Sequence, residues 1–215
     1  MSAELFLKLI IIMYADDTIL LADSALNLQK GLNELKSYCN KWKLQINSDK
    51  TKIMIFANRK VKKENYNFKI GEDNLEIVDS FKYLGINFSY NGKFTVAINK
   101  LCTMTERAMY SLYKKSRSLN LPIDIQFNLF DKVVLLIMLY SCEVWGFSNL
   151  SPLESLHRKF CKMALKLRSS TPNIMIYGKT GRFPLEVIIK IRMINYCSCI
   201  VLGKKEKLSV ISYNM

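Results

Sequence analysis

Residues that interrupt regular structure are scarce in this sequence. Its 215 residues include eight glycines and four prolines, and no tract of low complexity. Half of the residues are hydrophobic, which argues against disorder and predicts one or two packed units. The six cysteines follow no regular spacing, so we expect reduced thiols rather than a disulfide framework.

Long hydrophobic runs are also missing. The apolar runs 5–13 and 133–140 fall short of the ~20 residues that span a bilayer. The first run is interrupted by Lys8, follows Glu4 and lacks a small-residue cleavage site, which argues against a signal peptide. We therefore expect an intracellular protein, in the cytoplasm or nucleus, with no transmembrane helix.

Acidic side chains are few. Thirty-two lysines and arginines against eighteen acids give a net charge of +14, and residues 151–215 alone hold twelve basic and three acidic side chains. This excess of positive charge toward the C-terminus attracts a polyanion such as a nucleic acid. A basic surface that only keeps the protein soluble explains the charge equally well.

A zinc site is not predicted. The single histidine, His157, stands four residues before Cys161, and two more cysteines follow at 197 and 199. The cysteine spacings of zinc fingers and zinc ribbons are nevertheless absent.

Two isoleucine-rich runs, 9–13 and 19–22, flank Asp16 and Asp17. Short β-branched runs of this kind favour strands. We therefore predict a β-hairpin with the acidic pair at its tip. In the competing interpretation, Asp17 caps a helix that begins at Thr18.

A better helix start is Ser24, after which apolar residues recur every three or four positions to about Lys43. Tryptophan 42 belongs to this apolar pattern, and we expect it in the core, as we do Trp145. Further strand-like runs lie at 52–56, 66–70, 75–78 and 81–88.

The second half of the chain has helical periodicity. We predict a helix from about residue 93, and a helix over 122–142 that is apolar nearly all round and hence buried. Another helix should begin with Ser151 as N-cap, followed by Pro152 and Glu154. A last helix should run from Pro184 to about Leu202. The predicted fold class is α+β.

The acidic pair is the strongest chemical signal. Two adjacent carboxylates between buried strands are costly to desolvate unless a cation neutralises them, and Mg²⁺ prefers such oxygen ligands. Two metal ions of this kind support an in-line displacement, as in nucleotidyl transfer. Taken alone, an Asp-Asp pair is more often a solvated turn.

The segment Tyr14-Ala15-Asp16-Asp17-Thr18-Ile19-Leu20-Leu21-Ala22-Asp23 resembles the catalytic box of reverse transcriptases encoded by non-LTR, LINE-like retrotransposons. Four later segments resemble, in order, the next palm motif, the primer-grip hairpin, and two parts of the helical region that follows the thumb. These segments are 47–54, 81–85, 139–146 and 160–163.

The resemblance implies a partial polymerase palm of antiparallel hairpins with one packed helix over residues 1–90. A thumb-like helical segment over 91–120 and a basic helical extension over 121–215 would follow. The implied partners are an RNA template, an RNA–DNA duplex and a deoxynucleoside triphosphate; the oligomeric state stays open.

The resemblance also implies roles for single residues. Asp16 and Asp17 would bind the catalytic Mg²⁺ ions, with Tyr14 and Ala15 beside the primer end and the nucleotide. Lys50 would be a third catalytic residue, near the triphosphate as proton donor to pyrophosphate, or else only cap a solvated strand.

Four residues of the hairpin motif would hold the primer backbone: Phe81, Tyr83, Leu84 and Gly85. For Tyr83 and Leu84, ordinary strand core is the alternative.

Basic residues form two further candidate surfaces. Five cations and no acid between 158 and 168 predict a helix face that touches phosphates. Its main members are Arg158, Lys159, Lys162 and Lys166. The basic stretch 50–69 is interpreted as a solvated loop rather than a template path.

One part of the family pattern is missing. A further metal-binding aspartate lies upstream of the box in this family, together with the fingers, whereas thirteen residues precede Tyr14 here. We therefore expect an incomplete Mg²⁺ site in a truncated or decayed copy that is inactive alone. The alternatives are a non-catalytic nucleic-acid-binding module and a structural relic.

Overall fold

The computed structural model describes residues 10–202 of the chain, a mixed α/β structure with small sheets. The strands are β1 (Ile10–Tyr14), β2 (Asp17–Leu21), β3 (Lys52–Ile53), β4 (Phe68–Ile70), β5 (Asp73–Ile77), β6 (Ser80–Tyr83) and β7 (Ile86–Ser89). The helices are α1 (Ala25–Lys41), α2 (Thr95–Ser118), α3 (Ile123–Leu129), α4 (Leu135–Met138), α5 (Cys142–Trp145), α6 (Ser151–Ala164), α7 (Asn173–Thr180) and α8 (Leu185–Val201).

The described chain divides into two compact units. One contains residues 10–83 and 89–92, and the other contains 84–88 and 93–202. The finer division into palm, thumb and extension stays a prediction. Residues 1–9, which include most of the apolar run 5–13, and 203–215, the end of the predicted extension, lie outside the described residues.

The predicted acidic hairpin is confirmed. Strands β1 and β2 pair antiparallel from Ile10 opposite Leu21 to Tyr14 opposite Asp17. The helix start at Ser24 is also confirmed, because the Ser24 hydroxyl accepts a hydrogen bond from the Asn27 backbone N–H at 3.3 Å.

A three-stranded sheet in the order β3-β5-β4 packs against α1. The strand predicted over 52–56 is shorter than expected, and β3 contains only two residues. After β3, the backbone N–H of Ala57 donates a hydrogen bond of 2.9 Å to the carbonyl of Tyr90. At the opposite edge, the Gln29 side-chain amide bonds to both backbone groups of Lys69 at 2.8 and 3.0 Å, which covers β4.

Apolar side chains of α1 and this sheet form the core of the first unit. The fully buried members are Leu32, Ile53, Phe68, Ile70 and Leu75. The prediction that Trp42 belongs to the core is wrong. It follows the last residue of α1, and 60% of its surface is exposed. Its ring is tilted against the Tyr38 ring, with 6.2 Å between centroids.

The helix predicted over 122–142 is interrupted. Five π-helical residues, Phe130–Val134, separate α3 from α4, and a left-handed residue, Ser141 (φ 52°), separates α4 from α5. Its predicted burial on all sides is also wrong, because Val133 and Leu136 are about half exposed, at 49% and 56%. The segment therefore buries one face only.

The later helices follow the sequence with two corrections. Ser151 is the first helical residue rather than the N-cap. Its backbone N–H donates a hydrogen bond of 3.0 Å to the side-chain oxygen of Asn149. Helix α7 was not predicted. The helix after Pro184 is confirmed as α8. Within residues 10–202, no helix is both long and apolar enough to cross a membrane.

The core of the second unit surrounds Trp145 and Phe160, with Phe130 stacked 4.0 Å from Phe160 between ring centroids. It also contains a buried polar group. The carboxylate of Glu154 accepts hydrogen bonds from the Tyr177 hydroxyl and from the Glu186 backbone N–H. These contacts tie α6 to α7 and α8.

Ionisation of Glu154 should therefore stabilise the second unit. Burial alone would raise the pKa of Glu154, but the His157 imidazole, 3.5 Å away, and the Tyr177 hydroxyl hold that pKa below its ordinary value. Because the folded-state pKa is the lower one, the stabilisation is complete above the unfolded value of 4.5. It is lost as the pH falls through the folded-state pKa.

We predict that Tyr177→Phe lowers the free energy of unfolding by about 1.5–3 kcal/mol at neutral pH, because a hydrogen bond to a charged group is lost. The difference from wild type should shrink once acid neutralises Glu154. Urea denaturation at neutral and acidic pH measures both values. Tyr196→Phe is the control, since its hydroxyl has no partner in the described chain. An equal loss at both pH values would contradict a role for the carboxylate.

Candidate catalytic hairpin and nucleic-acid interface

The tip of the β1–β2 hairpin is a two-residue turn made by Ala15 and Asp16. Ala15 has a φ of 52°, whereas Asp16 has a negative φ. A positive φ at the first central residue alone is the pattern of a type II′ turn, where glycine is usual. An alanine in this region costs about 1–2 kcal/mol. Strain of this kind is concentrated at functional sites.

Both carboxylates at the tip are exposed. Asp16 lies in the turn, and Asp17 is the first residue of β2. The flanking strands are not buried as predicted, since Met13 is 70% and Ile11 48% exposed. Desolvation therefore gives no reason for a cation here, and the predicted burial of the flanking strands is wrong.

The donor set nevertheless suits a hard cation. Mg²⁺ commonly takes one or two carboxylates and completes its coordination with water and substrate phosphates. Asp16 and Asp17 fit that requirement at a solvent-accessible position. Within residues 10–202, no three or more metal-ligating side chains gather into one group, so these two carboxylates stand without a third.

The other residues predicted near the acidic pair are also exposed. Tyr14, which pairs with Asp17, is 62% exposed. Lys50 lies in a turn held by Asn47, whose side-chain oxygen accepts the Lys50 backbone N–H at 3.0 Å. No ion pair joins Lys50 to Asp16 or Asp17 in the described chain.

Strands β6 and β7 form the hairpin predicted to bind a primer. Its two turn residues have left-handed backbones, Leu84 at φ 45° and Gly85 at φ 83°. Phe81 and Leu84 are 37% and 39% exposed, so Leu84 is not the ordinary strand core that was its alternative. The Tyr83 hydroxyl is buried and has no hydrogen-bond partner in the described chain.

The basic face predicted between 158 and 168 is only partly available. Helix α6 ends at Ala164, so Lys166, with φ 53°, lies beyond it. Lys162 donates a hydrogen bond to the Ser169 carbonyl. Arg158 is half-buried and Lys166 exposed.

An acid of another helix also lies beside this face. Lys159 pairs with Glu106 of α2 at 3.1 Å, and its ammonium lies 5.0 Å from the Tyr110 ring centroid. Tyr110 and Glu106 raise the pKa of Lys159. Nothing in the sequence marked Glu106 as a partner, because it is 53 positions away.

Between β3 and β4, the basic stretch 50–69 contains irregular chain and one short 3₁₀ turn, Lys63–Asn65. Asp79 holds it through ion pairs with Lys63 at 3.0 Å and Lys60 at 3.1 Å. These lysines lower the pKa of Asp79. The loop interpretation agrees with this geometry.

The one histidine and its neighbouring cysteine are core residues. His157 is fully buried and stacks on Phe130, with 5.9 Å between ring centroids. Burial raises the pKa of the Cys161 thiol to about 11, so it is protonated at neutral pH. All six cysteines are free, as expected.

Comparison with known proteins gives a match over the first 88 residues. Residues 1–88 match the family model for reverse transcriptase (RNA-dependent DNA polymerase). A transposon-derived protein of Caenorhabditis elegans is 28% identical over 139 residues, which are 63% of this chain and 48% of that protein. The chain thus spans about half the length of the curated relative it matches. No solved structure matches it.

By this match, residues 1–88 are similar to reverse transcriptases, and the match covers the acidic hairpin and residues 81–85. It ends at residue 88, so the helical residues from 93 onward stand outside it. The non-LTR subtype, the individual site residues and the roles of the helical region stay predictions.

The strained turn makes a specific prediction about Ala15. Ala15→Gly should leave the free energy of unfolding unchanged or raise it by up to about 1 kcal/mol, because glycine adopts φ 52° without strain. Ala15→Val should lower it by at least about 1 kcal/mol, because a β-branched residue fits a positive φ worst. Chemical denaturation measures both variants.

The control is Ala25→Gly at the first residue of α1, where the backbone is helical. Glycine should cost up to about 1 kcal/mol there. If Ala15→Gly destabilises the protein as much as Ala25→Gly does, the left-handed turn at Ala15 is contradicted.

Proposed function

We propose that this chain is the C-terminal portion of a retrotransposon reverse transcriptase of the non-LTR kind, retaining part of the catalytic palm and a basic helical region that binds nucleic acid. The observation that carries the proposal is the acidic hairpin. Its two carboxylates stand at the tip of a tight turn, inside the segment that matches the reverse transcriptase model.

In this proposal, Asp16 and Asp17 hold Mg²⁺, which supplies charge neutralisation for nucleotidyl transfer when bound. Tyr14 and Ala15 position the primer end and the nucleotide, and Lys50 approaches the triphosphate. The exposure of all five residues leaves them accessible to a substrate. Phe81, Tyr83, Leu84 and Gly85 contact the primer strand.

The helical unit binds the phosphate backbone. Residues 93–202 contain sixteen basic and six acidic side chains, an excess of ten positive charges. Four of the acids already pair with basic residues within the unit: Glu106, Asp131, Glu143 and Glu186. The remaining positive charge attracts an RNA–DNA duplex over a distance set by the ionic strength.

We propose further that the isolated chain binds without catalysing. Two carboxylates without a third ligand stabilise a transition state poorly, since the protein must neutralise charge that develops on the transferred group. Two alternatives follow from the same residues. One is a binding module with no catalytic role, favoured by the positive charge; the other is a structural relic.

Salt-dependent binding tests the proposal. We predict that the chain binds an oligo(dT)–poly(rA) hybrid and that the affinity falls steeply as salt rises, because bound phosphates release counterions. Arg158→Gln with Lys166→Gln should reduce the slope of log affinity against log salt by about one per lost phosphate contact. Fluorescence anisotropy of labelled hybrid measures both quantities.

The control is Lys30→Gln with Lys41→Gln on α1, which changes the net charge equally and should leave the slope nearly unchanged. Binding that does not depend on salt would support the relic. Adding dTTP and Mg²⁺ to the same complexes extends the experiment to catalysis, where we expect no primer extension. Robust incorporation would refute the inactivity and leave the binding result intact.

A further inference from the structure

The three residues between α4 and α5, Leu139–Ser141, form a tight bend within the second unit. Leu139 is buried at the end of α4, Ser141 turns the chain with φ 52°, and α5 begins at Cys142. Tyr140 projects from this bend with 46% of its surface exposed. The bend is therefore held by the buried Leu139, whereas the Tyr140 side chain is not part of the core.

The Tyr140 hydroxyl contacts the turn of the β6–β7 hairpin. It donates a hydrogen bond of 2.6 Å to the carbonyl oxygen of Leu84. Leu84 and Gly85 both have positive φ, which is the pattern of a type I′ turn. A leucine in that conformation costs about 1–2 kcal/mol, so a bond to its own carbonyl helps to hold a strained residue.

The Tyr140 ring also occupies the space beside Gly85. A Cβ atom at residue 85 would lie 3.0 Å from Cε1 of the ring and 3.1 Å from its hydroxyl oxygen. Glycine is thus needed here for two reasons, a φ of 83° and the close approach of the ring.

The backbone of Tyr140 is held in turn by the core. The indole N–H of Trp145, a fully buried residue, donates a hydrogen bond of 2.8 Å to the Tyr140 carbonyl. Gly146 keeps α5 close to α8, because a Cβ atom there would lie 2.5 Å from Cγ2 of Ile189. A side chain whose backbone is fixed in this way is preorganised to fix what it touches.

We propose that Tyr140 is a positioning residue that sets the geometry of the Leu84–Gly85 turn. The inference rests on the proposed function, in which this turn contacts the primer strand. Trp145 in the core bonds to Tyr140, and Tyr140 bonds to Leu84. The packing of the second unit therefore fixes the turn. Tyr140 itself need not touch nucleic acid.

Tyr140→Phe in the full chain tests the proposal, because it keeps the ring against Gly85 and removes only the hydroxyl. We expect the Gly85 and Ile86 amides to exchange hydrogen about 2- to 10-fold faster, since one net hydrogen bond is lost. The preference for a hybrid with a recessed primer end over a blunt hybrid should fall by a similar factor. A loss of overall packing would weaken binding to both hybrids equally.

The matched control is Tyr196→Phe, which is equally exposed at 45% and whose hydroxyl has no partner in the described chain. It should change neither the exchange rates nor the hybrid preference. A second variant examines the ring contact: Gly85→Ala should disturb the turn less in a Tyr140→Ala background than in wild type, because the ring is gone.

Unchanged exchange in Tyr140→Phe would overturn the inference. Faster exchange with an unchanged hybrid preference would overturn the positioning role, and the bond would then serve stability alone. If wild type binds neither hybrid, the proposed function fails and the positioning role fails with it. The exchange rates would still decide whether Tyr140 holds the turn.

Discussion

The geometry of the candidate site depends on tight two-residue turns that force the backbone into left-handed conformations. At the first hairpin, the pairing of Tyr14 with Asp17 leaves only Ala15 and Asp16 to reverse the chain. This short turn places adjacent carboxylates at an exposed tip, and it leaves Ala15 with a strained backbone conformation. At the second hairpin, Leu84 and Gly85 carry a similar constraint, supported by Tyr140. Each turn needs support because its conformation is intrinsically unfavourable.

The two units place their polar groups differently. In the first unit, the carboxylates at the hairpin tip are exposed, so a cation can reach them from solvent without prior burial. In the second unit, Glu154 is buried and fully engaged by Tyr177 and Glu186, which leaves it a structural role. Burial therefore separates the carboxylates suited to a metal from those that stabilise the fold.

Local sequence patterns predicted several of the helices and strands well. The isoleucine runs around the acidic pair, the N-cap at Ser24 and the proline before α8 each specify structure through neighbouring residues, and each prediction holds in the structure. Burial was predicted less well, because it depends on what the rest of the chain covers. Trp42 continues an apolar helical pattern, but the fold leaves 60% of its surface exposed.

Long-range contacts could not be predicted from spacing. The pairing of Lys159 with Glu106 and the bond from Tyr140 to Leu84 join residues more than fifty positions apart. The sequence marked the segment containing Tyr140 as apolar helix and as part of a family resemblance, and neither gave a physical role for the tyrosine. The fold supplies one by bringing that segment beside Gly85.

Asp16 and Asp17 are proposed to form a divalent-cation site, and a Mn²⁺ titration of the full chain, followed by electron paramagnetic resonance, measures its affinity. Mn²⁺ takes oxygen ligands as Mg²⁺ does. We expect Asp16→Asn with Asp17→Asn to weaken Mn²⁺ binding by about tenfold or more, because both ionised ligands are lost. Glu34→Gln with Asp49→Asn, which removes the same charge elsewhere, should have little effect. Equal affinity in wild type and the Asp16/Asp17 variant would contradict the account.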